Sequence, residues 1–285
     1  MVAGLKDIPF VFELGDLWPN SISAVGAMKK GLLLSCLEKF EMFLYRRSVA
    51  IAALTNAFKR NLVERGVSDT KIHVVVNGVD LSRYGPKKRN KNLAAEWNLT
   101  GKFVVGYIGT HGMAHGLVNV LDTADLMKDD PNITFLFVGA GAERESLVKE
   151  SKQRGQTNIF FAPHQPKEQM PDVWSLCDVA LVHLRDSPAF ADVIPSKIFE
   201  AMAMGLPLLL VSPKGEASDL IKSYDAGLWC PAGDPGLFSC AVSSLSVDKL
   251  KYDRMAKASL DAAVKHSREN QARKMLEVFQ WSLDR

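Results

Sequence analysis

The chain has 285 residues, 47% of them hydrophobic and 24% charged, and carries a formal net charge of +3. That length supports two domains with sizeable cores, and the composition is that of a soluble globular protein. So mild a charge, with no basic stripe interleaved by aromatics, excludes a nucleic-acid binder. The four cysteines (Cys36, Cys177, Cys230, Cys240) are scattered and form no CxxC pair; this speaks against a zinc site or disulfide framework and for a reducing compartment.

Met1 to Gly15 has no basic region followed by an apolar one, so no signal peptide is expected. No apolar run reaches the length of a bilayer span. Ile8 to Leu14 reads as a strand that starts almost at once, so the chain reads as beginning inside a domain. Gly15-Asp-Leu-Trp-Pro-Asn20 follows as a loop. Glu13 and Asp16 stand at the carboxyl edge of that strand, where open α/β sheets place their ligands; a turn-capping role suits Asp16 equally well. Residues 27–47 give a long helical pattern (Met28, Leu32, Leu33, Cys36, Leu37, Phe40, Phe43, Leu44) that also carries Lys29, Lys30, Lys39, Arg46 and Arg47. A basic amphipathic helix of this kind suits an anionic membrane surface. It also suits packing on its own sheet with a solvated basic face.

A strand over Val49–Leu54, a helix from Thr55 or Asn56 to Arg65 and a strand over Ile72–Val76 follow. Asn77-Gly78 marks a turn, and Tyr84-Gly-Pro-Lys-Lys-Arg-Asn-Lys91 reads as a polar interdomain linker. Beyond it, strands at 103–108, 133–138, 159–162, 179–183 and 208–211 alternate with helices at 117–128, 143–154, 167–176, 197–204 and 216–223. This alternation predicts a parallel sheet covered on both faces. A short apolar segment at 227–230 and helices at 247–263 and 267–283 complete the chain.

Ligands of such a sheet sit beyond the carboxyl ends of its strands. Gly109 and Gly112 bracket the first loop there and let backbone approach a phosphate, with His111 and His115 flanking it; capping or surface roles suit both histidines as well. Gly139 and Gly141 read as a tight turn. His111, His115 and His164 fall on neighbouring loops, but no carboxylate joins them at metal-ligand spacing. No GxSxG and no Gly-rich Lys-Ser/Thr phosphate loop occurs. The stretch Ile194-Pro-Ser-Lys-Ile-Phe-Glu-Ala-Met-Ala-Met-Gly-Leu-Pro207 predicts a short helix, N-capped by Ser196 and ended by Gly205 and Pro207. Asp192, Ser196, Lys197 and Glu200 around its start could bracket a nucleotide-sugar, with acids on hydroxyls and the cation on a diphosphate. An ordinary helix–strand unit with solvated Lys197 and Glu200 fits the same residues.

Taken with Phe12-Glu-Leu-Gly-Asp-Leu-Trp-Pro19, Val76-Asn-Gly-Val-Asp80 and Gly106-Tyr-Ile-Gly-Thr-His-Gly-Met-Ala-His-Gly116, that stretch resembles the family 4 glycosyltransferases of the GT-B architecture. The resemblance is to the branch that makes bacterial surface polysaccharides and includes fucosamine transferases of O-antigen and capsule synthesis. It implies an α/β fold of two Rossmann-like domains with parallel sheets, the N-terminal one incomplete. Residues 1–83 would be a partial acceptor domain, 84–102 a linker, 103–265 the nucleotide-sugar domain and 266–285 a helix returning to the N-terminal domain. Family members carry about a hundred more residues of the first α/β half, so a fragment, a start assigned at an internal Met, or a chain without transferase activity is expected.

The activity implied is retaining transfer from a UDP-sugar to a polyprenyl-linked or other saccharide acceptor, without cofactor or metal, on the cytoplasmic face of the inner membrane. Glu200 matches the second acid of the family's paired glutamates and is implied to hold the ribose hydroxyls. Asp192 takes the first position, one methylene shorter, and is implied to reach the donor sugar. Where family members often carry an Arg and a Lys on the diphosphate, this chain has Thr110 and His115, which leaves that task to Lys197, the loop amides and His115. Gly109, His111, Gly112, His164, Gln165, Pro195, Ser196 and Ile198 complete the implied donor site, with Glu13 and Asp16 on the acceptor side. A nucleotide-sugar 2-epimerase of similar architecture and a binding-only donor domain are the alternatives.

Overall fold

The computed structural model describes residues 8–17 and 31–285. The loop beyond Leu17 and the first turn of the helix expected from residue 27 lie outside those residues. Two parallel sheets organise the chain. The first has the order β1-β2-β3, formed by Val11–Leu14, Ala50–Ala53 and Ile72–Val74. Helix α1 (Leu32–Arg47) precedes β2, and α2 (Asn56–Glu64) follows it, its N-cap Thr55 accepting the Phe58 N–H.

The second sheet contains β4 (Phe103–Ile108), β5 (Ile133–Val138), β6 (Ile159–Phe161), β7 (Val179–His183), β8 (Leu208–Ser212) and β9 (Gly227–Pro231), in the order β6-β5-β4-β7-β8-β9. All its pairings are parallel. The near-continuous apolar runs at β5, β7 and β8 are what a sheet buried on both faces requires. Alternate residues serve opposite faces: Val104, Ala180 and Leu208 join one core, Val105, Val179 and Leu209 the other.

On the first face lie α3 (Lys91–Glu96), α6 (Met170–Trp174), α7 (Lys197–Ala203) and α8 (Glu216–Tyr224). On the second lie α4 (Val118–Leu126), α5 (Arg144–Gln153) and α9 (Pro235–Val247). Helix α10 (Lys249–Lys265) touches both cores through Ala262 and Met255.

Three features go beyond what the sequence pattern predicts. The segment 84–102, expected as a linker, contains α3; Tyr84 is buried, and Arg89 binds the Asp178 carboxylate and the Leu176 and Lys102 carbonyls. The helix expected over 167–176 splits into a single 3-10 turn and the short α6. Helix α9 falls in a stretch with no expected element.

The chain crosses back after α10. Val79 bridges Ser267 in parallel, its N–H donating to the His266 carbonyl at 2.9 Å. Helix α11 (Arg268–Leu283) then packs Met275, Val278 and Trp281 against Ala50, Ala52 and Val75 of the first sheet's side.

Candidate active site

The order of the second sheet reverses between β4 and β7, so the loops leaving these strands diverge and open a crevice at their carboxyl ends. A cavity of about 800 Å³ occupies it and extends to the first sheet. Its walls come from four sources, the smallest being Arg268 at the start of α11 (Arg268–Leu283). The first sheet's side gives Asp16, Thr55 and Phe58; the connecting segment gives Asn77, Asp80, Arg83 and Tyr84; the second sheet gives Gly109, Thr110, His115, Lys167, Pro195 to Lys197 and Glu200.

Helix α7 starts directly at this crevice. Its other end is fixed by Gly205 at φ +73, where the Gly205 N–H bonds the Met202 carbonyl and the Leu206 N–H bonds that of Ala201. This paired closure, which favours glycine, ends the helix after two turns. Ser196 does not cap its start: its own backbone is already helical and its hydroxyl makes no cap bond. Ile198 points away from the cavity and is fully buried in the core with Phe199 and Met202.

Lys197 Nζ is buried, has no hydrogen-bond partner among the described residues, and stands 3.8 Å from the centroid of the Tyr107 ring. Burial pushes this amine down to about 7, the Glu200 charge opposing the shift only in part. Gly109 makes the arrangement possible. At φ +145 it presents no side chain where a Cβ would stand 2.7 Å from Nζ. A cation stripped of water and satisfied only by a ring face is poised for an anion.

Glu200 lies one helical turn on, lines the same cavity and accepts the Trp174 indole N–H at 3.3 Å. It makes no ion pair with Lys197 among the described residues.

The histidines do other work than the sequence suggests. His115 Nδ1 faces the His183 carbonyl at 3.2 Å, and His183 Nδ1 faces the His115 carbonyl at 2.6 Å. A carbonyl only accepts, so Nδ1 of each carries the proton. Burial, with Lys197 adding to it, pushes His115 down to about 4. In the ligand-free site a neutral His115 with Nδ1 protonated leaves Nε2 an acceptor, so a hydrogen bond from it to a phosphate requires the ring to take up a proton. His111 is fully buried between Tyr107 and Phe137 and lines no part of the cavity; burial, Arg144 and Lys197 hold it down to about 4.

Other expected residues also lie elsewhere. Asp192 is turned toward α2: its carbonyl accepts the Thr55 hydroxyl at 3.0 Å, and its carboxyl, raised by burial, feels Arg60 and Glu64. Asp192, expected to reach the donor sugar, is not among the residues that line the cavity. Glu13, Gly112, His164 and Gln165 do not line the cavity; His164 is exposed, and Gln165 bonds the Pro163 carbonyl. Asp16, Gly109, Thr110, His115, Pro195, Ser196, Lys197 and Glu200 do meet there. Sequence reasoning missed Arg83, Tyr84, Lys167 and Arg268. Only the Asn77-to-Asp80 motif hinted at a connector contribution; Arg268 enters because the chain crosses back beside Val79. Among the described residues, no three His, Cys, Asp or Glu side chains gather as metal ligands.

The glycosyl transferases group 1 family model matches residues 68–261, and that of glycosyltransferase family 4 matches residues 1–83. The probable glycosyltransferase WbjE of Pseudomonas aeruginosa is 26% identical over 232 residues, covering 79% of this chain and 57% of that protein. The putative colanic acid biosynthesis glycosyl transferase WcaI of Escherichia coli (strain K12) is 28% identical over 158 residues, 54% of this chain and 38% of that protein. The chain spans about half the length of the curated relatives it matches. Among solved structures, Anabaena HepE in complex with UDP-glucose superposes with a TM-score of 0.80 at 17% identity, over 99% of this chain and 74% of that one. Sucrose-phosphate synthase from Thermosynechococcus elongatus gives 0.79 at 17% identity, over 99% and 70%. With its two parallel sheets facing one cavity in the GT-B manner, and with the group 1 model matching more than half its length, the chain belongs to the glycosyl transferases group 1 family.

Proposed function

We propose that the protein of this chain transfers a sugar from a UDP-sugar to a saccharide acceptor, polyprenyl-linked, in the synthesis of a bacterial surface polysaccharide. The observation that carries the reading is the unpartnered, buried Lys197 amine at the strand-order reversal, with Glu200 one turn on in the same cavity. In this reading Lys197 takes the donor diphosphate, aided by amides of the Gly109 loop, and Glu200 takes the ribose hydroxyls. Solved Anabaena HepE is described in complex with UDP and with UDP-glucose, and relatives are named for colanic and teichuronic acid biosynthesis. These names support the donor class and the pathway type.

The chemistry in this reading needs no protein nucleophile. The departing diphosphate takes the acceptor proton on the same face, which retains the configuration of the transferred sugar, and Lys197 stabilises the charge that develops on the leaving group. No metal is assigned a part. An acceptor anchored in a membrane places the enzyme on the inner-membrane surface. Helix α1, with Leu32, Leu33, Phe40 and Phe43 exposed beside Lys39, Arg46 and Arg47, is the face assigned to that contact.

Titration calorimetry with UDP tests the site. Lys197→Ala and Glu200→Ala are each expected to weaken UDP binding by about tenfold or more, the scale of one lost hydrogen bond to a charged group. Unchanged affinity in both variants sinks the assignment. Product analysis with a panel of UDP-sugars then separates transfer from epimerisation and from binding alone.

A further inference from the structure

Two aromatic side chains stand behind Glu200 and hold no ligand in the reading above. Trp174 ends α6 with its ring fully buried, and its Nε1–H is directed at Glu200 Oε2, 3.3 Å away. A buried indole N–H requires an acceptor, and the one it meets here is a carboxylate that lines the cavity. Tyr84, from the connecting segment and only 7% exposed, lines the same cavity as Glu200; burial and the Glu200 charge push its phenol up to about 12.

The nearest cation to Glu200 along the helix is Lys197, three residues earlier. Residues at that spacing share a helix face and pair readily when they carry opposite charges. Here they do not pair. Lys197 turns onto the Tyr107 ring, and Glu200 turns onto Trp174, with Tyr84 lining the same cavity. If Glu200 lost its aromatic donors, it would be free to swing onto Lys197. Both groups would then be satisfied by each other and neither would be available to a ligand.

We infer that Trp174 and Tyr84 are positioning residues that hold the Glu200 carboxylate apart from Lys197 and aim it at a vicinal diol, so that the site selects a ribonucleotide over a 2′-deoxyribonucleotide. The inference rests on the donor reading, in which Glu200 meets the ribose. One carboxylate oxygen is engaged by the indole, which fixes the plane of the group. A carboxylate accepts and does not donate, and one held in a fixed plane accepts well from two adjacent hydroxyls and poorly from one hydroxyl beside a methylene.

The test is titration calorimetry of the full chain with UDP and 2′-deoxy-UDP, on the wild type and on Trp174→Phe, Tyr84→Phe and Glu200→Gln. The UDP titrations are repeated between pH 7 and 9. The wild type is expected to prefer UDP by about tenfold, the scale of one hydrogen bond to a charged group. Trp174→Phe keeps the ring and removes the N–H. It should cut the preference to threefold or less and flatten the pH dependence, because Lys197 then has Glu200 as its partner. Tyr84→Phe should shift both in the same direction by less, and it decides the matter should Trp174→Phe fail to fold. If Glu200→Gln abolishes the preference while both aromatic variants keep it within twofold of the wild type, the positioning inference is overturned. If the wild type shows no preference, or Glu200→Gln leaves it intact, the ribose reading itself falls and takes the inference with it.

Discussion

Lys197 carries an energetic conflict that binding would resolve. Its amine shifts from an ordinary 10.5 to about 7 because it is buried beside Tyr107 with no partner. The unfolded chain therefore holds more protons than the folded one between about pH 7 and 10.5. The penalty is full below pH 7 and is relieved as pH rises through that window. At about 1.4 kcal/mol for each pKa unit, it is on the order of a few kcal/mol. Replacing the amine by an apolar chain of similar length removes it. Lys197→Met is expected to melt at least about 2 °C above the wild type at pH 7, the shift of roughly 1 kcal/mol in a chain of this size, while losing UDP binding. The ligand should also restore the charge. Above pH 7, where UDP is already fully ionised, wild-type affinity should fall as pH rises, since each binding event takes up part of a proton. Lys197→Met should show no such slope in whatever binding remains. A wild-type affinity that is flat from pH 7 to 9 would show that the amine is not the group meeting the diphosphate.

Helix α1 has a buried face, where Leu34, Glu41 and Tyr45 meet the first sheet's side, and an opposite face where Leu33, Phe40 and Phe43 stay 52% exposed or more. Arg46 and Arg47 occupy its last turn. The sequence pattern suits both a membrane helix and a packed one, and the structure shows one face packed and the opposite face exposed. With the apolar stripe lying in the headgroup region and the arginines drawn to anionic lipid, the chain should float with phosphatidylglycerol-rich vesicles and not with neutral ones. Phe40→Asp with Phe43→Asp should reduce the floating fraction about tenfold or more, since each buried aromatic contributes about 1.5–3 kcal/mol. Equal flotation of the double variant would remove α1 from the contact. Elements such as β4, β5 and β7 were legible to the residue because a parallel strand buried on both faces leaves a near-continuous apolar run. Helix α9 was not, although Asp234 caps it and Pro235 sits at its first position, a known start signal. Its Ser-rich sequence and exposed Leu237 and Val247 blur the periodicity that would have continued the reading. Helix α7 was placed correctly by Gly205 and Pro207, yet the capping role given to Ser196 failed because the backbone there is already helical.

At the scale of the whole molecule, the cavity exists because the chain crosses between its two sheets twice, and this is the part that local sequence patterns do not encode. Tyr84 and Arg83 reach the cavity on the first crossing, Arg268 on the second, and the crossings are held side by side by the Val79–Ser267 bridge. No spacing in the sequence relates residue 83 to residue 268; only the returning helix α11 does. That helix covers one face of the first sheet, with Met275, Val278 and Trp281 packed on Ala50, Ala52 and Val75. His73 meets the Trp281 ring edge-on at 4.8 Å. Three such side chains contribute on the order of 5 kcal/mol, comparable with the entire stability of a small domain. The second sheet has its own two cores, and among the described residues no side chain of α11 joins either. A chain ending at Lys265 should accordingly lose hydrogen-exchange protection throughout β1, β2 and β3 while keeping it in β4, β5, β7 and β8. Its UDP affinity should fall as well, because Arg268 is gone and Tyr84 is left on a connector with no second crossing to hold it. Full protection of β2 in the shortened chain would mean that the first sheet is stabilised from its α1 and α2 side alone, and that the crossing serves the cavity without supporting the fold.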